Sequence, residues 1–104
     1  MSTNYYVKDV FGEKGMHVGL RSSGWKFTFE ITRHGFENSK DWKNYIREVG
    51  GVVNEYGEEL KPEEFWKMVD DWNNNLNNHR IYFGDDNKTF IDKFGYVCNK
   101  YEYF

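Results

Sequence analysis

At 104 residues the chain is long enough for one buried core and too short for two ordinary domains, so a single domain over residues 1–104 is expected. Nine Phe, eight Tyr and four Trp let an apolar fraction of only 38% bury a large area, because each ring removes much surface from water. Fourteen Lys and Arg against seventeen Asp and Glu leave a net charge of −3, too weak for a nucleic-acid mimic and of the wrong sign for general phosphate binding.

Residues Tyr5 to Val10 alternate as a strand and lead through the glycines of Phe11-Gly12-Glu13-Lys14-Gly15 into Met16-His17-Val18-Gly19-Leu20-Arg21. A polar break then precedes Trp25 to Ile31, which alternates again. A two-residue turn at Ser23-Gly24 would pair Leu20 with Phe27, Val18 with Phe29 and Met16 with Ile31, placing the large apolar residues on one face. The opposite face would then carry His17, Arg21, Lys26, Thr28 and Glu30.

Ser39 reads as the N-cap of a helix over Lys40 to Val49, with Trp42, Tyr45, Ile46 and Val49 on one face and Gly50-Gly51 as the stop. Val52-Val53 forms a brief strand before the turn Asn54-Glu55-Tyr56-Gly57. A second helix starts at Pro62, carries Phe65, Val69, Trp72 and Leu76 on one stripe, and frays into Asn73-Asn74-Asn75. Arg80 to Phe83 and Thr89 to Asp92 read as strands around Gly84 to Lys88, and Asp92-Lys93-Phe94-Gly95 repeats the style of the Asn54 turn before Tyr96-Val97-Cys98. The expected fold is α+β: a mainly antiparallel, twisted sheet with two amphipathic helices packed on one face.

No zinc spacing is present, since His17, His34 and His79 lie far apart and Cys98 is the single cysteine. That lone cysteine fits a reducing compartment. Asp85-Asp86-Asn87 lacks the spaced ligands of a calcium loop and reads as a solvated turn. His17 opposite Glu30 is an acid/base pair or an ordinary stabilising pair, and Ser22 and Ser23 are too far along the strand to be activated by His17. No catalytic residue, metal or cofactor is therefore assigned, and the chain is read as a non-enzymatic protein. Candidate contact residues are His17, Arg21, Ser22, Ser23 and Lys26 on the hairpin, Trp66 beside the stripe of the second helix, and Tyr101 and Tyr103 in the tail. Arg21 beside Lys26 would suit an anion such as a nucleotide phosphate, and an exposed aromatic surface would suit self-association into a homo-oligomer. No apolar run approaches the roughly 20 residues that cross a bilayer, and the polar Met1-Ser2-Thr3-Asn4 start lacks an export pattern, so a cytoplasmic protein with no membrane partner is expected.

Ser2-Thr3-Asn4-Tyr5-Tyr6, the stretch His17-Val18-Gly19-Leu20-Arg21-Ser22-Ser23-Gly24-Trp25-Lys26-Phe27, and the later Asn54-Glu55-Tyr56-Gly57-Glu58-Glu59-Leu60 and Pro62-Glu63-Glu64-Phe65 together resemble a group of small bacteriophage proteins. Many of that group carry a Cys-x-x-Cys pair between the first two strands, where this chain has Phe11-Gly12-Glu13-Lys14-Gly15, so a zinc knuckle is not implied here. The resemblance implies a phage accessory protein in the host cytoplasm that binds and inhibits a host or defence-system protein, such as a CRISPR effector. Its alternatives are an oligomeric sponge for a nucleotide signal and a small enzyme using His17 and Glu30.

Overall fold

In the computed structural model, which describes residues 2–8, 14–31, 35–81 and 88–100, the elements run β1 (Ser2–Lys8), β2 (Lys14–Ser22), β3 (Thr28–Glu30), α1 (Ser39–Val49), β4 (Val52–Asn54), β5 (Glu59–Leu60), α2 (Pro62–Asn74), β6 (Thr89–Ile91) and β7 (Val97–Asn99). The strands make one seven-stranded sheet in the order β5-β4-β1-β2-β3-β7-β6. Five of its six pairings are antiparallel, and β3 with β7 is parallel. The sheet is therefore mixed and mostly antiparallel, within an α+β architecture. A parallel neighbour needs a long crossover, and here both helices lie in the chain between β3 and β7. The expected strand Arg80 to Phe83 lies partly outside the described residues, and Arg80 itself makes an isolated bridge to Trp25. Asp85-Asp86-Asn87 also falls outside them.

Helix α1 is capped by Asn38 rather than Ser39: the Asn38 side chain accepts from the Lys40 and Asp41 amides, and Gly50 closes the helix in the left-handed conformation. Trp42 and Ile46 of α1, and Phe65, Trp66 and Val69 of α2, join Tyr5, Val7, Val18, Phe27, Phe29, Ile31, Val52 and Cys98 in one buried cluster. Leu76, expected on the buried stripe, instead lies past the end of α2 and is 89% exposed. The helix ends at Asn74, and two asparagines around its end, Asn73 and Asn78, bond to a distant segment.

Those bonds explain the largest departure from the expected hairpin. Gly19 pairs with Phe29 and Leu20 with Thr28, a register one residue away from the Leu20–Phe27 pairing. A turn does close at Ser22, whose carbonyl accepts from the Trp25 amide, but residues 25–27 then leave β2 for the end of α2. The Phe27 amide donates to Asn73 Oδ1, the Gly24 amide to Asn78 Oδ1, and the Trp72 indole to the Trp25 carbonyl. Lys26 and Arg80 complete the clamp through Lys26 N–H to the Arg80 carbonyl and Arg80 N–H to the Gly24 carbonyl. Because strand side chains alternate, a one-residue shift exchanges faces, so Leu20 no longer sits with Phe27 and Phe29. Gly19 takes the place opposite Phe29, and a Cβ there would lie 2.3 Å from the Thr28 carbonyl oxygen and 2.7 Å from the Phe27 ring. Gly19→Ala should therefore lower stability by about 2 kcal/mol or more through overpacking, read by urea unfolding; an unchanged midpoint would show that the ring does not lie over Gly19.

Two turns of the same build close the hairpins β4–β5 and β6–β7. Asn54 Oδ1 accepts from the Tyr56 and Glu58 amides, and Asp92 Oδ1 accepts from the Phe94 and Tyr96 amides, with Gly57 and Gly95 at φ near 84° and 89°. Asp92 does one thing more. Its Oδ2 accepts from the Ser39 amide at 2.8 Å and from the Ser39 hydroxyl at 2.5 Å, which ties the start of α1 to the sheet. Burial alone would push the Asp92 carboxyl up, but the hydrogen bonds from Ser39, Tyr96 and Phe94 outweigh it and hold the group below the usual carboxylate range. A carboxyl depressed in the folded state stabilises fully above its unfolded value of about 3.9 and loses that contribution as pH falls through the folded value. Asp92→Asn should cost about 2 kcal/mol at neutral pH, with the gap to the parent narrowing below about pH 4 in denaturant titrations.

Candidate functional site

The expected polar hairpin face does not form as one surface. β1 and β2 slip register between Tyr5 and Tyr6, which pair with Gly19 and His17, so Val18 is the extra residue of a bulge. Val18 joins the core, while His17 turns to Asn4 and Glu30 on the other face. His17 Nδ1 lies 3.0 Å from Glu30 Oε2 and His17 Nε2 lies 2.8 Å from Asn4 Oδ1. Both ring nitrogens of His17 are thus engaged within the protein. The Tyr6 ring meets His17 edge-on at 5.3 Å.

On the adjacent strands, Asn99 stands in register with both Glu30 and Thr89 and donates its amide to Thr89 Oγ1 at 2.8 Å. Asn4, His17, Glu30, Asn99 and Thr89 thus form a polar row across β1, β2, β3, β7 and β6. Glu30 is wholly buried, and His17, Asn99 and Thr89 are nearly so. The sequence pointed to His17 and Glu30 as a pair, but placed them on an accessible face; Asn4, Asn99 and Thr89 carry no linear signal, because only strand order aligns them.

The remaining hairpin residues are also engaged. Arg21 is half-buried, its guanidinium 4.9 Å from the Trp72 ring centre and 5.7 Å from that of Tyr5. Lys26 Nζ donates to the Asn73 carbonyl. Ser22 is half-buried in the turn and Ser23 is exposed beside it. Arg21 and Lys26 therefore do not stand as an open pair of cations. Tyr101 and Tyr103 lie outside the described residues.

Trp66 is different. It packs against Phe29 at 5.3 Å, Phe65 at 5.7 Å and Tyr96 at 5.7 Å, yet it lines two adjoining clefts. One, of about 320 Å³, lies among Ser39, Lys40, Lys43, Trp66, Phe94 and Tyr96. The other, of about 220 Å³, shares Lys43 and Trp66 and adds Arg47 and Glu63. Lys40, Lys43 and Arg47 fall at i, i+3 and i+7 on α1 and so share a face. Lys43 Nζ sits 5.5 Å from the Trp66 ring centre, while Lys40 and Lys93 Nζ sit 5.8 and 5.3 Å from that of Phe94. All four cations are exposed, Phe94 is 43% exposed, and none of the four makes an ion pair with a described residue.

The hydroxyls at this site are committed elsewhere. Ser39 Oγ donates to Asp92, and Tyr96 OH donates to Asp70 at 2.6 Å. Burial and that bond to Asp70 push the Tyr96 phenol up to about 12. Cys98, beneath the site and 3.6 Å from Asp92 Oδ2, has its thiol pushed up by burial and by the Asp92 charge, which keeps it from acting as a thiolate nucleophile. The lysines were invisible as a group in the sequence, because an exposed helix stripe is normally just solvated; the β6–β7 turn brings Phe94 against it.

No family model, curated protein or solved structure matches this chain. Among the described residues no cluster of three or more His, Cys, Asp or Glu is arranged to hold a metal ion, and no helix is long and apolar enough to cross a membrane. Removing one member of a buried hydrogen-bonded pair leaves the other unsatisfied, so Glu30→Ala should cost about 2–3 kcal/mol. Glu30→Gln, which keeps the shape, should cost less, and chemical denaturation of the two variants measures the difference.

Proposed function

We propose that this chain is a non-enzymatic binding protein of the bacteriophage accessory type, which engages a host or defence-system protein in the host cytoplasm and inhibits it. The observation that supports this reading is the cluster of four exposed cations, without ion-pair partners among the described residues, set around Trp66 and Phe94 on a chain whose net charge is −3. Phe94, 43% exposed, offers ring surface that a partner can bury, and the cations around it make a charged, solvated rim. The reading takes α1 and α2 to lie together on one face of the sheet, which brings Lys43 over Trp66.

The alternatives draw less support. A nucleotide sponge built on Arg21 and Lys26 needs those cations open, and they stack on Trp72 and bond to Asn73. An enzyme using His17 and Glu30 needs a ring nitrogen facing substrate, and both are bonded within the protein. Trp66→Ala is a poor probe of binding, since it would open the core between Phe29, Phe65 and Tyr96. Lys43→Glu and Phe94→Ala act at the surface instead. Used as bait in an infected-cell lysate, the parent should retain a host protein that both variants lose at least tenfold, with melting temperatures unchanged. Equal retention by parent and variants would overturn the reading.

A further inference from the structure

The cleft chemistry narrows what the partner presents, an inference that rests on the binding role proposed above. We infer that the two adjoining clefts receive an acidic segment of the partner protein, whose apolar or aromatic anchor lies against Trp66 and Phe94 and whose flanking carboxylates meet Lys40, Lys43 and Arg47. Charge complementarity selects this occupant. Lys40, Lys43, Arg47 and Lys93 gather on one face of an acidic chain, and Glu63 is the one carboxylate among the residues lining the two clefts. A local reversal of sign of this kind orients an approaching acidic surface and disfavours a basic one.

A nucleotide would need more than charge. The cleft hydroxyls of Ser39 and Tyr96 already donate to Asp92 and Asp70, so neither has a proton to offer an acceptor on a base. What remains is ring surface, the ammonium groups of three lysines and the single Arg47 guanidinium. Lysine ammoniums are compact charges without the planar fork of arginine, which suits scattered carboxylates rather than one bidentate group. The shared Lys43 and Trp66 make the clefts of about 320 and 220 Å³ one elongated groove, sized for one anchoring side chain and its neighbours rather than for a whole interface.

The test is a titration of the full-length, ¹⁵N-labelled protein with three probes: the peptide Glu-Asp-Phe-Asp-Glu with blocked ends, its counterpart Lys-Lys-Phe-Lys-Lys, and adenosine monophosphate. The acidic peptide should shift the Lys43 amide, the Trp66 indole and the Phe94 amide, and its affinity should fall about tenfold for Lys43→Glu and weaken severalfold when salt is raised. No response to the acidic peptide, an equal response to the basic one, or a stronger response to the nucleotide would overturn the inference. If the acidic peptide fails while host-protein capture still depends on Lys43, the acidic segment is wrong and the binding role stands. If capture ceases to depend on Lys43, the binding role itself falls.

Discussion

The close approach of the Phe27 ring to Gly19 is the constraint on which the rest of the molecule depends. Only a residue without a side chain leaves room at that point for Phe27 and for the Thr28 carbonyl. With Phe27 seated there, its ring meets Phe29 at 4.8 Å and Phe65 at 5.7 Å, and the cluster extends through Tyr5 and Trp66. Each fully buried ring of this kind contributes about 1.5–3 kcal/mol relative to exposure. The same seating sets the β2–β3 register, and so decides which side chains each face of the sheet carries.

That register is reinforced on the other face by the polar row. A buried hydrogen-bonded pair contributes little net stability, since desolvation opposes the attraction, but it penalises every arrangement that separates the partners. Slipping β3 by one residue would withdraw Glu30 from His17 and turn it toward the aromatic cluster. The bulge at Val18 resolves a local conflict in β2: it sends Val18 to the core and His17 to the carboxylate, although the two are adjacent. At the far end of the hairpin, Asn73, Asn78 and Trp72 hold the segment that leaves the ladder.

Much of the fold was legible from local patterning. The apolar spacing of α1, that of α2 as far as Trp72, Gly50 as a stop and Pro62 as a start all describe interactions within a few residues of each other, and these are present, whereas Leu76 falls past the end of α2. The α+β class and the prevalence of antiparallel pairing were legible for the same reason. What escaped was non-local. The Ser23-Gly24 pair suggested a tight turn, but Asn73 in the last turn of α2 and Asn78 beyond it, about fifty residues away, take the amides of Phe27 and Gly24 and shift the pairing. Ser39 looked like a cap because nothing nearby announced Asp92 as its partner. The parallel join of β3 with β7 and the two-residue β5 leave no periodic trace. Trp66, read in the sequence as lying beside the stripe of α2, is in fact a member of the buried cluster, and Lys40, Lys43 and Phe94 become neighbours only when the β6–β7 turn meets α1.

The two hairpin turns are near copies in backbone geometry, yet one ends in an amide and the other in a carboxylate. Asn54 uses its nitrogen to reach Glu58 within its own loop, whereas Asp92 has a second oxygen to spare for Ser39. A graft of the first loop into the position of the second would thus still reverse the chain, but it would arrive without the acceptor that anchors the start of α1. Reversal and moorage are separable jobs in this architecture, and one atom of one side chain distinguishes them.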